Sequence, residues 1–229
     1  MARSTKKIIA FDLDDTLYKE MDFVKSGLKK VADHVGVKFS INKKEFYSLL
    51  LRILEKKGRG CVFDLALKKY NIYKKETISK LVKIYRGHKQ KIKPYSGVPA
   101  MLRRLEKAYK IILITDGDGA VQRNKVASLN IEKLFDAIIY TSDYGRGKEK
   151  PSIFSFEKIL KKFKKSPDEM IYIGDDPNKD FFGAKKIGIK TIRVFQGKFK
   201  DLKTNKNYDA DYKVNRILDV ENIIHKINI

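Results

Sequence analysis

Phe11-Asp12-Leu13-Asp14-Asp15-Thr16-Leu17 decides how the rest of this chain is arranged. It follows Lys6-Lys7-Ile8-Ile9-Ala10, a short apolar run of the kind that forms a buried strand. A strand sends alternate side chains to opposite faces, so Asp12 and Asp14 point the same way. Two carboxylates at the end of a buried strand are costly unless a cation or a reaction uses them. Taken alone, Asp14-Asp15-Thr16 would serve as a plain turn, because Asp and Thr are common turn and cap residues. The rest of the chain decides between the two readings.

From Tyr18 to Lys93 no strand-like alternation survives. Apolar residues recur at helical spacing: Phe23, Leu28, Val31 and Val35, then Phe46, Leu49, Leu50, Ile53 and Leu54, then Ile78, Leu81, Val82 and Tyr85. Breaks are expected at Gly36, at Gly58-Arg59-Gly60 and at Asn71. This predicts a helical bundle over 18–93, inserted into a main body of 1–17 and 94–229, with Pro94-Tyr95-Ser96-Gly97 leading back. From Gly97 onward helices and strands alternate. Strands are expected at 109–114, 137–140, 170–174 and 190–194, with an edge strand at 211–214. Helices are expected at 98–108, 120–129, 152–163, 178–187 and 217–227. That alternation predicts an α/β fold, a Rossmann-like parallel sheet with helices on both faces.

Composition bounds the rest. With 229 residues, 42 % of them apolar, the chain can hold one large domain or a core with a smaller insertion. No apolar run is long enough to span a bilayer. Met1 to Lys7 leads straight into the first strand, without an apolar segment and cleavage site, so no secretory signal is expected. The single cysteine, Cys61, excludes an internal disulfide, and a cytoplasmic location is expected. The net charge of +23 points to an anionic partner. Most of it is lysine scattered along predicted helical faces, as in Lys29-Lys30 and Lys161-Lys162, and no nucleic-acid module is readable. The expected partner is therefore a small phosphorylated metabolite, not nucleic acid and not a membrane, with the chain a monomer or homodimer.

Parallel sheets place ligands outside the carboxyl ends of their strands. Here those ends carry Asp12 and Asp14, Thr115-Asp116-Gly117, and Gly174-Asp175-Asp176-Pro177-Asn178-Lys179-Asp180, with Lys150 ahead of a helix. Asp12, Asp175 and Asp176 converging on one mouth call for a hard divalent cation, and Mg²⁺ suits oxygen ligands with room for water. Lys150 supplies a positive charge and Thr115 a hydroxyl. The amides of Asp116 and Gly117, just before a helix, suit an anion. Together these make a site for phosphoryl transfer.

The four segments resemble the four motifs of the haloacid dehalogenase superfamily, in the right order and on the right predicted elements. Phe11 to Leu17 is similar to the first and Ile114-Thr115-Asp116-Gly117 to the second. Lys150-Pro151 with Ile153-Phe154 is similar to the third, and Gly174 to Asp180 with Gly183-Ala184 and Gly188 to the fourth. The insertion resembles the helical cap of one subclass.

The resemblance implies a Mg²⁺-dependent phosphatase, with Asp12 the nucleophile that forms an aspartyl-phosphate and Asp14 the acid and base. It also implies that the Asp14 carbonyl and Asp175 ligate the metal, with Asp12, and that Asp176 acts through water. Thr115, Asp116 and Gly117 would hold phosphoryl oxygens, Lys150 would neutralise charge, and Asp180 would support the loop or Lys150. Asp14 separates phosphatase from dehalogenase, because halide departs without a proton and an alkoxide does not. A phosphosugar mutase and a protein acting on nucleic-acid end phosphates are the alternatives. Asp116 stands where the second motif commonly has Asn, and a carboxylate facing phosphate is unfavourable, so its side chain is expected to point away. Arg59, in the insertion, is expected to contact substrate.

Overall fold

The computed structural model describes residues 6–227; the expectation about a leader falls mainly on residues 1–5, outside them. Along the chain run β1 (Lys7–Phe11), α1 (Glu20–Phe39), α2 (Lys43–Lys57), α3 (Val62–Lys69) and α4 (Lys75–Gly87). Then follow α5 (Val98–Leu105), β2 (Tyr109–Thr115), α6 (Gly119–Leu129), β3 (Ala137–Tyr140), α7 (Phe154–Phe163) and β4 (Met170–Gly174). The chain closes with α8 (Phe182–Lys186), β5 (Lys190–Val194), β6 (Tyr212–Val214) and α9 (Val220–Ile227).

The strands form one sheet in the order β3-β2-β1-β4-β5-β6, every neighbouring pair parallel. β1 and β4 sit in its middle and are buried nearly throughout, which is why they read as continuous apolar runs. On one face, Ile8, Ala10, Ile112, Ile114, Met170 and Tyr172 pack with Phe156, Ile159 and Leu160 of α7 and with Phe181 and Ala184. Asp12 continues the Ile8 and Ala10 face by strand alternation.

The chain divides into two compact units, Met1–Glu20 with Ile92–Ile229, and Met21–Lys91. The first holds the sheet. Within the second, Phe23, Leu28, Val31 and Val35 of α1, Phe46 and Leu50 of α2, Leu67 of α3 and Leu81 of α4 are buried. Phe23 meets Tyr85 edge-on, ring centroids 5.5 Å apart.

Several boundaries differ from expectation, three of them for local physical reasons. α1 runs through Gly36 and stops at Ser40, whose φ is 55°. A single glycine costs a helix only about 1 kcal/mol, less than burying Val31 and Val35 contributes. The helix expected from Asn178 begins only at Phe182. Asp176 and Asp180 side chains take the backbone N–H groups of Asn178, Asp175 and Asp176, tying that stretch into a loop. The last helix opens as a 3-10 turn, Ile217–Asp219, before α9. Among the described residues no helix is long and apolar enough to cross a membrane.

Candidate active site

The parallel register pairs Phe11 with Leu113 on one side and Ile173 on the other, so β1, β2 and β4 end within two residues of one another. Asp12 leaves β1 with its N–H donating to the Ile173 carbonyl at 2.8 Å. Thr115 and Asp175 leave the neighbouring strands at the same height. Lys150, from the loop before α7, reaches this mouth with its ammonium buried. Its Nζ lies 2.5 Å from Asp12 Oδ1, 2.8 Å from Asp180 Oδ1 and 2.6 Å from the Tyr172 hydroxyl. Tyr172 in turn donates to Asp180 at 3.2 Å.

Asp180 therefore serves two masters. One oxygen holds Lys150; the other accepts the N–H groups of Asp175 at 3.1 Å and Asp176 at 2.9 Å. Gly174 makes room for it: a Cβ there would stand 2.4 Å from Asp180 Oδ2. Gly183 does the same for the lysine loop, since a Cβ would sit 2.1 Å from the Pro151 carbonyl. Gly174 and Gly183 of the fourth motif are thus close-approach positions that bring α8 and its loop against the Lys150 segment.

Asp12, Asp175 and Asp180 each offer an oxygen within 4.8 Å of the others, all buried. Burial pushes Asp12 up to about 7; Lys150 opposes this and Asp180 adds to it. Asp175 is pushed up to about 10, by burial first and then by Asp180 and Asp12. Asp180 alone of the three is held below the usual carboxylate range, because Lys150 and Lys179 outweigh its burial. Lys150 is pushed well up, as Asp12 and Asp180 outweigh desolvation. Asp12 and Asp175 bring buried carboxylate oxygens together with little counter-charge between them, a hard oxygen donor set that fits Mg²⁺.

Asp14 is anchored separately. Its two oxygens take Lys125 Nζ at 2.7 and 2.9 Å, Gln122 Nε2 at 2.9 Å, and the Tyr18 hydroxyl. Gln122 also donates to Thr115 Oγ1 at 2.5 Å. Burial raises Asp14, but Lys125, Tyr18 and Gln122 carry it below the usual range.

Asp116 does not point away from the site. Oδ1 accepts from Thr141 Oγ1 at 2.9 Å and from the Lys150 N–H at 3.3 Å, and Oδ2 lies 4.0 Å from Lys150 Nζ. The lysine and the hydroxyl make a carboxylate tolerable there. Asp116, Gly117, Thr141, Arg146, Lys150 and Lys179 line a cavity of about 520 Å³ in this unit. Asp176 turns into its own loop, where Oδ1 accepts from Asn178 N at 3.0 Å and Asn178 Nδ2 at 2.8 Å. Arg59 lies in the other unit, in a 3-10 turn, Arg59–Cys61.

Sequence reasoning passed over Tyr172, Gln122, Lys125 and Lys179. Tyr172 reads as strand core and Lys179 as one more lysine. Gln122 and Lys125 belong to a run of four polar residues, Gln122-Arg123-Asn124-Lys125, in the helix that follows Thr115, and nothing in the sequence marks which of the four turn inward.

A family profile described as haloacid dehalogenase-like hydrolase matches residues 9–194. A glyceraldehyde 3-phosphate phosphatase of Methanocaldococcus jannaschii is 30% identical over 227 residues, covering 96% of this chain and 98% of that one. The protein of the same name from Pyrococcus furiosus is 28% identical, covering 97% and 94%. A solved HAD-hydrolase of Bacillus subtilis, described as bound to magnesium, superposes with a TM-score of 0.63 at 19% identity, covering 99% of this chain and all of that one. With the parallel sheet, the acidic mouth and the buried lysine in place, the chain belongs to the haloacid dehalogenase-like hydrolases.

Proposed function

We propose that this hydrolase is a Mg²⁺-dependent phosphatase of small phosphorylated metabolites, working through an aspartyl-phosphate on Asp12. The observation that carries this is the buried cluster of Asp12, Asp175 and Asp180 joined by Lys150, with Asp14 two residues beyond Asp12. Asp12, Asp175 and the Asp14 carbonyl would hold the metal, with Asp176 behind them. When bound, Mg²⁺ neutralises phosphoryl charge and aligns the ester with Asp12.

The residues of the chain do the rest. Lys150 pins one Asp12 oxygen, so the other is aimed at phosphorus. An Asp12 oxygen forms the new P–O bond while the ester P–O bond breaks, and Asp14, which must enter this step protonated against the pull of Lys125, gives that proton to the departing oxygen. Thr115 and the amides of Asp116 and Gly117 hold the phosphoryl oxygens, beside Lys150. Asp14 then takes a proton from water, which attacks phosphorus, releases phosphate and restores Asp12. Arg59, from the helical unit acting as a cap, is a proposed substrate contact.

Glyceraldehyde 3-phosphate is the first substrate to test, because curated relatives that match almost the whole chain carry its name. The test is phosphate release from a panel of phosphorylated metabolites, with Mg²⁺ and with EDTA, ranked by kcat/KM. Turnover that survives EDTA, or that survives in Asp12→Asn, overturns the reading.

A further inference from the structure

We propose that Lys125 and Gln122 of α6 are positioning residues: they hold the Asp14 carboxylate at the departing oxygen and couple it to the phosphate-binding hydroxyl of Thr115. This deepens the phosphatase reading and rests on it.

Val121, Val126 and Leu129 are ordinary core, but Gln122 and Lys125 are buried with them, 2% and 4% exposed. A lysine in that position costs a helix several rotamers and the hydration of its charge unless a partner repays both. The partner is Asp14, met by Nζ at 2.7 and 2.9 Å on both oxygens. Glu20 lies 4.0 Å from the same nitrogen, so Lys125 also faces a second carboxylate. A carboxylate gripped on both oxygens cannot turn about its last bond, and its direction is set by the helix.

Gln122 adds the coupling. Its side-chain nitrogen carries two hydrogens and has two acceptors, Asp14 Oδ2 at 2.9 Å and Thr115 Oγ1 at 2.5 Å. A hydroxyl that accepts from Gln122 keeps its own hydrogen for another acceptor. Thr115 is thereby set as a donor to a phosphoryl oxygen, and the same amide fixes how far Asp14 stands from it. Position on this scale matters, since displacement of a reacting group by about 1 Å can cost 100-fold. Neither residue needs to touch substrate for this.

The experiment uses leaving groups. p-Nitrophenolate departs from phosphorus with little need of a proton, whereas phenolate, a stronger base, needs one. In the parent enzyme with Mg²⁺, kcat/KM is measured for p-nitrophenyl phosphate and for phenyl phosphate. Lys125→Met is expected to lower kcat/KM by about 10-fold on the first and about 100-fold or more on the second, within the range of general acid catalysis. Lys125→Arg is expected to restore much of the phenyl phosphate rate. In an Asp14→Asn background, Lys125→Met is expected to change neither rate by more than about 2-fold, since the group it positions is gone. If Lys125→Met does not fold, Gln122→Met carries the same comparison, with a smaller shift of the ratio.

Equal losses on the two esters would make Lys125 a merely structural residue and overturn the inference. So would a Lys125→Met loss that persists undiminished in Asp14→Asn. A parent enzyme that hydrolyses neither these esters nor any ester of the metabolite panel overturns the phosphatase reading itself, and the inference with it.

Discussion

Two of the clusters of buried charge in the unit that holds the sheet are built to opposite rules. Under β5, Arg193 lies 3.1 Å from Asp209 and donates to the carbonyls of Phe199 and Leu202, both at 2.8 Å. Lys213 closes on the other Asp209 oxygen at 2.5 Å. The one carboxylate there is paired on both oxygens, and Asp209 falls below the usual range because Lys213 and Arg193 outweigh its burial. At the mouth of β1 and β4, acid is in excess: Asp12, Asp175 and Asp180 share Lys150, and two of the three are pushed up instead of down. A cluster whose acid is fully paired pins a loop to a strand. An unbalanced one is unfavourable for folding and persists where a cation and a reaction use it.

The sharpest way to break this comparison is Asp12→Asn. It is expected to lower kcat by about 10⁴-fold or more, as loss of a nucleophile does. Because it removes one of the surplus acids and leaves Lys150 its bond to Asp180, Tm should stay level or rise. A large fall in Tm would mean that the mouth is structural after all. Arg193→Met should do the reverse. Removing one partner of a buried pair costs about 3–5 kcal/mol, readable by urea denaturation, while kcat of the folded fraction is unchanged.

Lys179 refines the comparison. It lines the cavity beside Lys150 and sits close enough to Asp12, Asp180 and Asp116 for them to raise it. Lys179→Met is expected to weaken inhibition by inorganic phosphate about 10-fold, the value of one charge-assisted contact. An unchanged inhibition constant would remove it from the phosphate site.

The smallest effect is thermal. Asp12 and Asp175 are raised above the carboxylate value of the unfolded chain, to about 7 and about 10, so their contribution to stability is present at low pH and lost as pH rises through those values. Asp14, Asp180 and Asp209 are lowered, so theirs is already complete above about pH 5. Metal-free protein should therefore lose Tm between about pH 5 and pH 8. Mg²⁺ needs those acids ionised, so the Tm it adds should be larger at about pH 8 than at about pH 5. A metal effect independent of pH would contradict the acid excess.

Much of this was legible before any coordinates. The alternation of apolar runs marked the sheet, because buried parallel strands must be apolar on both faces. Asp12 and Asp175 stood out because charge at the end of such a run needs a reason, and Lys150 through its place in the third motif, ahead of a helix. Lys125 and Gln122 did not, since a lysine in a lysine-rich chain looks alike whether it faces water or a carboxylate. Asp116 was misjudged because its partners, Thr141 and the Lys150 N–H, lie on segments far away in sequence.

What the sequence determined by itself was the set of strand ends and the residue types they carry, since periodicity and local polarity are properties of neighbouring residues. What only the tertiary structure decided was which charges meet. Lys150 is 138 residues from Asp12, and Lys125 is 111 from Asp14. Such pairs depend on the register of β1 between β2 and β4 and on the close approach allowed at Gly174 and Gly183. Coulomb energies depend on distance and burial, and neither is a property of the chain until it has folded.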